Sequence, residues 1–479
     1  MTWSSLGLGA QGLGQFALLA VLARHLTAAE FGVMTATLIV VGAGRAVHAG
    51  VSPALVQRQE LRPDHVRSAF ALSWMVAIGL IGLMWVTAPL VGAFFHMEQL
   101  VPVMRAMSLL FAIQAPGLVP EALLQRGMQM RSLAQAEVAG VLIGWLPIGI
   151  GCAMLGCGVW SLVAAHLGQA LVKSVALVWV RPHERAVWPV RGATRELVHY
   201  GTGFVAARLC NVAASQGDNF VVGRWMSAAA LGVYGRAYQL MAMPAMFLGE
   251  VVDRIVFPLL SRCQDDRASL RLAYGRGVSL VATIMAPASA LSIVLAPELV
   301  AVVLGPKWES VVLPFQVLMF GLVFRTGYKI SDMLARATGT VYARAWRQAI
   351  FAALIFTGAW IGTEDGVDGV AIGIVAALGV NYLMMAQLSL RTTGMGWARF
   401  ASLHVRGAVV GTAVAALTWP LAEGMRSLWH QPFAVLTSTL LVAGAVLAVA
   451  LVRAPRSILG GDGMWLLSNL TGRASAGSA

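Results

Sequence analysis

Charge is what this chain of 479 residues has least of: only 11% of its positions are charged, and acids are the rarer sign, with 21 Asp and Glu against 34 Lys and Arg. A typical soluble domain carries roughly 25% charged residues, and a chain that is 58% hydrophobic cannot hide its apolar surface in water. Cysteine is scarce too. Cys152, Cys157, Cys210 and Cys263 follow no metal-binding or redox spacing, which excludes a zinc module or a disulfide scaffold. They read as small packing residues, with Cys152 and Cys157 bracketing an outward turn where pairing in an oxidising compartment is the alternative. Long polar segments are missing as well: outward loops such as His96 to Leu100 and Thr363 to Asp368 leave no room for a catalytic domain. Met1-Thr-Trp-Ser-Ser lacks the basic stretch of a cleavable signal peptide, so the first apolar run reads as a span.

What is present is a series of apolar runs of 18 or more residues, each long enough to cross a hydrocarbon core of about 30 Å as a helix. A membrane β-barrel would alternate apolar and polar positions; runs such as Leu291-Ser-Ile-Val-Leu-Ala do not. The expected fold is an all-α polytopic membrane protein of about fourteen transmembrane helices. The spans fall near 3–24, 31–53, 68–95, 101–125, 132–154, 158–180, 197–223, 228–252, 273–297, 310–335, 347–362, 367–390, 405–421 and 433–452.

The net charge of +13 does not mark a nucleic-acid partner, because the cations sit between helices on alternate loops. Arg58, Arg62 and Arg67 stand on one side, followed by Arg126 and Arg131, Arg181 to Arg195, Arg254 to Arg276, Arg336 to Arg347, Arg391 to Arg406, and Arg453 to Arg473. The opposite loops hold little beyond Arg24, Arg224, Lys307 and Arg426. Positive charge stays inside, so both termini are expected in the cytoplasm. Trp160, Trp179, Trp225, Trp308, Trp397 and Trp419 near span ends read as an interfacial belt.

The chain also repeats itself. Arg24-His-Leu-Thr-Ala-Ala-Glu-Phe-Gly-Val matches Arg224-Trp-Met-Ser-Ala-Ala-Ala-Leu-Gly-Val, and Val51-Ser-Pro-Ala-Leu echoes Val256-Phe-Pro-Leu-Leu. Six helices per copy keep both copies in one orientation, a parallel repeat of the transporter kind. The expected organisation is a six-helix lobe at 1–181, a second at 197–391, two additional helices at 404–453 and a cytoplasmic tail at 454–479. Gly7-Leu-Gly-Ala-Gln-Gly12 satisfies the dinucleotide pattern but opens a membrane helix rather than following a strand, so it is rejected. Gly140-x-x-x-Gly144 and Gly369-x-x-x-Gly373 read as helix packing contacts.

Chemistry rests on ionisable residues inside spans: Arg45, Lys173, Arg208, Asp218, Arg236, Arg325, Lys329 and Asp332. A central Arg or Lys facing lipid costs about 2.5–3.5 kcal/mol, so these must face water or partners. Arg208, Asn211, Ser215, Asp218 and Asn219 recur at helical spacing, as do His166, Gln169 and Lys173, and Arg325, Lys329, Asp332 and Arg336. Lys329 and Asp332 are spaced to pair with each other. A cavity between two lobes, richer in cations than acids, suits an anionic substrate, phosphate above all. Asp218 is a candidate gating or coupling partner of Arg208.

These residues sit in motifs that resemble a known family. Ala23-Arg-His-Leu-Thr-Ala-Ala-Glu-Phe-Gly32, Ala54-Leu-Val-Gln-Arg58, Gly217-Asp-Asn-Phe-Val-Val-Gly223, Leu231-Gly-Val-Tyr-Gly-Arg-Ala-Tyr238 and Phe257-Pro-Leu-Leu-Ser261 are similar to the Wzx-type polysaccharide flippases of the multidrug/oligosaccharidyl-lipid/polysaccharide exporter superfamily. The resemblance implies two six-helix lobes with alternating access and two extra helices. It implies an undecaprenyl-pyrophosphate-linked oligosaccharide as cargo, for exopolysaccharide or lipopolysaccharide assembly at the bacterial inner membrane. It implies no enzyme activity and no cofactor, membrane lipid as surroundings, and a polysaccharide polymerase and export proteins as partners. The positions that carry over are Arg24, Arg58, Asp218, Arg236 and Tyr238. The near absence of a basic segment before the first helix departs from the family pattern. Rival readings are a drug or cation antiporter of the same superfamily, which would favour an acidic cavity, a membrane polymerase, which would need a large outward loop, and a scaffold without transport, against which the intramembrane charge argues.

Overall fold

The computed structural model describes residue 14 and residues 18–182, 188–263 and 266–453. Among the described residues there is no strand, as expected where water cannot satisfy backbone groups. Helix α1 covers residues 18–25. It is followed by α2 (Ala28–His48), α3 (Val51–Gln57), α4 (Pro63–Phe95), α5 (Leu100–Arg126), α6 (Met130–Ala139), α7 (Leu146–Met154), α8 (Val159–Val180) and α9 (Arg191–Trp225). Then come α10 (Ala228–Arg262), α11 (Arg267–Val294), α12 (Ala296–Val303), α13 (Val312–Phe320), α14 (Leu322–Ala337), α15 (Val341–Gly362), α16 (Gly366–Thr393), α17 (Trp397–Leu428) and α18 (Pro432–Arg453). Among the described residues, nine stretches are long and apolar enough to cross a membrane. Helix α9 is long enough but not among them, because its polar stripe dilutes its apolar face. The Gly7–Gly12 motif, most of the 3–24 span and the 454–479 tail lie outside the described residues.

The described residues up to Gly235, together with Val303–Gly305, form one compact unit, and the rest from Arg236 onward form another. The division falls inside α10, and α9 packs on α2, α3 and α4 of the first unit. The compact units and the sequence repeats are therefore different divisions of the chain. In the first unit α4 packs on α5 and α5 on α8; Leu55, Leu72, Val119 and Leu197 are buried together. In the second, α11 packs on α17, and α16 on α14 and α15; Leu295, Ala422 and Leu436 tie α18 to the bundle.

Local signals start and break these helices. Thr27 caps α2: its hydroxyl oxygen accepts from the Glu30 N–H, and the Glu30 carboxylate accepts from the Thr27 N–H at 2.7 Å, a reciprocal capping box. The predicted span 132–154 is interrupted by a π turn at Gly140–Trp145. Both small-residue pairs pack as expected: a Cβ on Gly144 would lie 2.4 Å from the Gly168 carbonyl oxygen, and one on Gly373 2.1 Å from that of Gly358. Trp160, Trp179, Trp225, Trp397 and Trp419 are exposed, as an interfacial belt requires, but Trp308 is only 2% exposed. It lies within a 3-10 turn (Pro306–Val311) rather than on the surface, and leaves the belt.

Candidate functional site

The membrane cations fall into two classes, those the protein itself neutralises and those it leaves available. Lys173 of α8 belongs to the first: its amino group donates to Glu121 of α5 at 3.1 Å and stands 3.6 Å from Glu137 of α6. Asp332 of α14 is held by Arg344, and by Arg336 at 3.2 Å, rather than by Lys329 as its spacing had suggested. Lys329 instead donates to the Ala245 carbonyl at 3.3 Å, beside Gly249, whose missing side chain leaves room for the amino group.

Arg45 and Arg208 belong to the second class. Gly42 of α2 faces Val212 of α9, where an added Cβ would sit 3.9 Å from Cγ1. Gly50, just past α2, lies against Val205 and the Gly201 carbonyl. The two helices therefore run antiparallel, and Arg45 comes level with Arg208. Residues 201, 205, 208 and 212 share one stripe of α9, so Arg208 lies on the α2-facing side. Among the described residues neither guanidinium has a carboxylate partner, and the Arg45 Nε is buried without a hydrogen bond. Arg208 is exposed, as are Asn211 and Ser215 on the same helix, and it stands 5.9 Å above the Phe204 ring. His166 of α8 is near Arg45 and packs edge-on against Trp145 at 4.2 Å between centroids. One turn after Arg45, the buried His48 lies 3.2 Å from the Ser73 carbonyl oxygen.

Asp218, ten residues beyond Arg208, is roughly 15 Å along the helix from it. Its buried carboxylate accepts from the Tyr234 hydroxyl at 2.7 Å, joining two family motifs, Gly217–Gly223 and Leu231–Tyr238, that are separate in sequence. In the second unit Arg325 donates to the Tyr238 hydroxyl and lies 4.7 Å over its ring. Arg236, half-buried, follows directly on the unit division. Arg24 is exposed and stands beside Gly305, whose φ is +104°. Arg58 pairs with Glu196 at the start of α9; His65 Nε2 is 3.3 Å from the same carboxylate oxygen. The Arg58 guanidinium holds the Glu196 carboxyl below its ordinary range, with His65 adding to the effect.

Three features escaped the sequence reading. Tyr234 lies inside a recognised motif, but nothing local tells which acid it meets. Trp145 is signalled only by its place at the end of a glycine-bounded segment. Asn381 of α16 is fully buried, and neither amide atom has a partner among the described residues; a lone Asn in an apolar span was the available sign.

The repeat in sequence becomes a contact in space. A Cβ on Gly32 would fall 1.7 Å from the Ala228 carbonyl oxygen, and one on Gly232 1.8 Å from that of Ala28. Each copy of the Ala-Ala-x-x-Gly segment lays its glycine on the other's first helical turn, the reciprocity that a local two-fold axis produces.

The chain matches the family described as polysaccharide biosynthesis protein over residues 21–313. Lipopolysaccharide biosynthesis protein WzxC of Escherichia coli (strain K12) is 24% identical to it over 375 residues, covering 76% of this chain and 75% of that one. Succinoglycan biosynthesis transport protein ExoT of Rhizobium meliloti (strain 1021) is 29% identical over 313 residues, 64% of this chain and 62% of its own. Among solved structures, the inward closed conformation of the lipid II flippase MurJ has a TM-score of 0.71 at 11% identity, covering 94% of this chain and 99% of that one. An inward-facing multidrug resistance MATE transporter of the MOP superfamily has a TM-score of 0.63 at 16% identity, covering 82% and 95%. At such identities the structural likeness speaks for the fold alone, whereas the family match spans well over half of the chain. This multi-pass membrane protein therefore belongs to the polysaccharide biosynthesis protein family, the family matched across residues 21–313.

Proposed function

We propose that the chain translocates an undecaprenyl-pyrophosphate-linked oligosaccharide across the bacterial inner membrane by alternating access, for exopolysaccharide or lipopolysaccharide assembly. In this reading it has fourteen transmembrane helices, six in each of two parallel repeats (1–181 and 197–391) and two more at 404–453, with both termini in the cytoplasm. The observation that carries the proposal is the pair Arg45 and Arg208, level with each other on α2 and α9 and without carboxylate partners among the described residues. A guanidinium is always charged and binds phosphate oxygens bidentately, and two at one depth match the two phosphates of a pyrophosphate. A cationic drug would be repelled from the same place. On the same helix as Arg208, the exposed Asn211 and Ser215 side chains offer hydrogen bonds to sugar hydroxyls.

The test is transfer of a radiolabelled polyprenyl-pyrophosphate oligosaccharide between leaflets of proteoliposomes. Charge-assisted hydrogen bonds contribute roughly 1.5–3 kcal/mol, so Arg45→Ala and Arg208→Ala are each expected to weaken substrate capture on the order of 10- to 100-fold. Wild type moving only organic cations would replace this reading with the antiporter. Undiminished transport by the double variant would remove the arginine site.

A further inference from the structure

The turn between α7 and α8 is closed by two reversed backbone bonds. The Gly156 N–H donates to the Ala153 carbonyl at 3.0 Å and the Cys157 N–H to the Cys152 carbonyl at 3.1 Å, with Gly156 left-handed at φ +75°. This is the Schellman ending, in which the second residue past the helix bonds back to the third residue from its end and the two side chains meet, usually through an apolar contact. Here both positions are cysteine. Cys152 is half-buried, Cys157 exposed, both thiols are free, and they are close enough to interact. The direct backbone bond between these two residues keeps their Cα atoms within the roughly 4.4–6.8 Å that a disulfide spans.

We propose that Cys152 and Cys157 form a redox site that closes as an intramolecular disulfide. The inference rests on the orientation in which this turn, opposite the arginine-rich loops, faces the oxidising side of the membrane. The co-reactant is a protein disulfide that oxidises by thiol–disulfide exchange. The exposed Cys157 thiolate attacks one sulfur of that disulfide, forming a mixed disulfide and expelling one thiolate of the oxidant. The Cys152 thiolate then attacks Cys157 Sγ, forming the internal bond and expelling the oxidant's second sulfur. Two thiols of this chain lose two electrons, the oxidant's disulfide gains them, and the two protons pass to its thiols.

The site adjoins the repeat contact. Gly158, next after Cys157 and at φ +57°, lies so near α2 that a Cβ there would be 2.2 Å from Glu30 Oε1. Glu30 in turn closes the capping box on Thr27, immediately before Ala28, whose carbonyl meets Gly232. Oxidation fixes the turn that abuts the first turn of α2.

The experiment uses the full-length protein with Cys210→Ser and Cys263→Ser, so that only the pair remains. Intact cells are acid-quenched, dissolved in SDS and reacted with a maleimide–polyethylene glycol before and after dithiothreitol. The expected result is no tag before reduction and two after it, on a band that runs as a monomer without reductant. Two tags before reduction overturn the proposal, as does a non-reduced dimer band that reductant dissolves. In a variant also carrying Cys152→Ser, a membrane-impermeant maleimide applied to intact cells is expected to label Cys157. If only a permeant reagent reaches it, the orientation fails and the disulfide proposal with it, a result distinct from free thiols on the outer side.

Discussion

The reciprocal approach of Gly32 and Gly232 makes a quantitative prediction about adding one methyl group. In open space Gly→Ala within a helix is stabilising by up to about 1 kcal/mol. At Gly32 the new Cβ would sit 1.7 Å from the Ala228 carbonyl oxygen, against 3.4–4 Å for an ordinary contact. The obstacle is backbone, which cannot rotate away, so the two helix starts must separate by roughly 1.5 Å or more, and overpacking of this kind costs about 1–3 kcal/mol. Gly32→Ala and Gly232→Ala should each lower the thermal unfolding midpoint in detergent. Gly42→Ala, where the nearest atom is 3.9 Å away, and Gly79→Ala, where nothing lies within 4 Å, should leave it unchanged or raise it. One separation relieves both clashes, so the double variant should lose clearly less than the sum of the singles, the non-additivity of residues that share a contact. The assay is static light scattering or tryptophan fluorescence during a thermal ramp, with all variants in the same detergent. Singles as stable as the controls, or strictly additive losses, would refute the reciprocal contact.

Two other outcomes follow from the charge network. Lys173→Met leaves Glu121 and Glu137 without their shared cation and should destabilise by about 1–3 kcal/mol, read as a lower unfolding midpoint. Adding Glu121→Gln and Glu137→Gln should restore most of it, and a triple variant no better than Lys173→Met would count against the pairing. At the start of α9, the Glu196 carboxyl is held low chiefly by Arg58, so its folded value lies below its unfolded one. It stabilises the fold above the ordinary carboxylate range, and that contribution disappears as pH falls through the lowered folded value. Glu196→Gln should therefore flatten the acid limb of the unfolding midpoint against pH while changing little under alkaline conditions beyond a constant offset.

How much was legible in advance differs from residue to residue. The apolar runs, the alternating arginine loops and the motifs around Arg24 and Asp218 gave the class and family directly, because insertion into a bilayer depends on stretches of sequence read one at a time. The glycine pairs at Gly140–Gly144 and Gly369–Gly373 were legible for the same reason, since their spacing fixes a common helix face. For Asp332 the sequence leaves the partner open: Lys329 stands at a suitable spacing on the same helix, but the carboxylate is taken by Arg336 and by Arg344 across the α14–α15 turn. Trp308 had the sequence position of a belt residue, and only packing showed that it is buried.

By itself, then, the sequence determined that this is a helical membrane protein whose apolar runs carry more cations than acids, with a short segment at Arg24 that recurs at Arg224. Which of those cations stay available was decided by the tertiary structure. Lys173 finds Glu121 and Glu137 on other helices, Asp218 finds Tyr234, and Arg45 comes level with Arg208. The physical reason is one of range. Hydrophobic periodicity is set within a single helix, whereas a lateral partner depends on register and rotation between helices, and a shift of one residue turns a side chain by about 100° away from its neighbour.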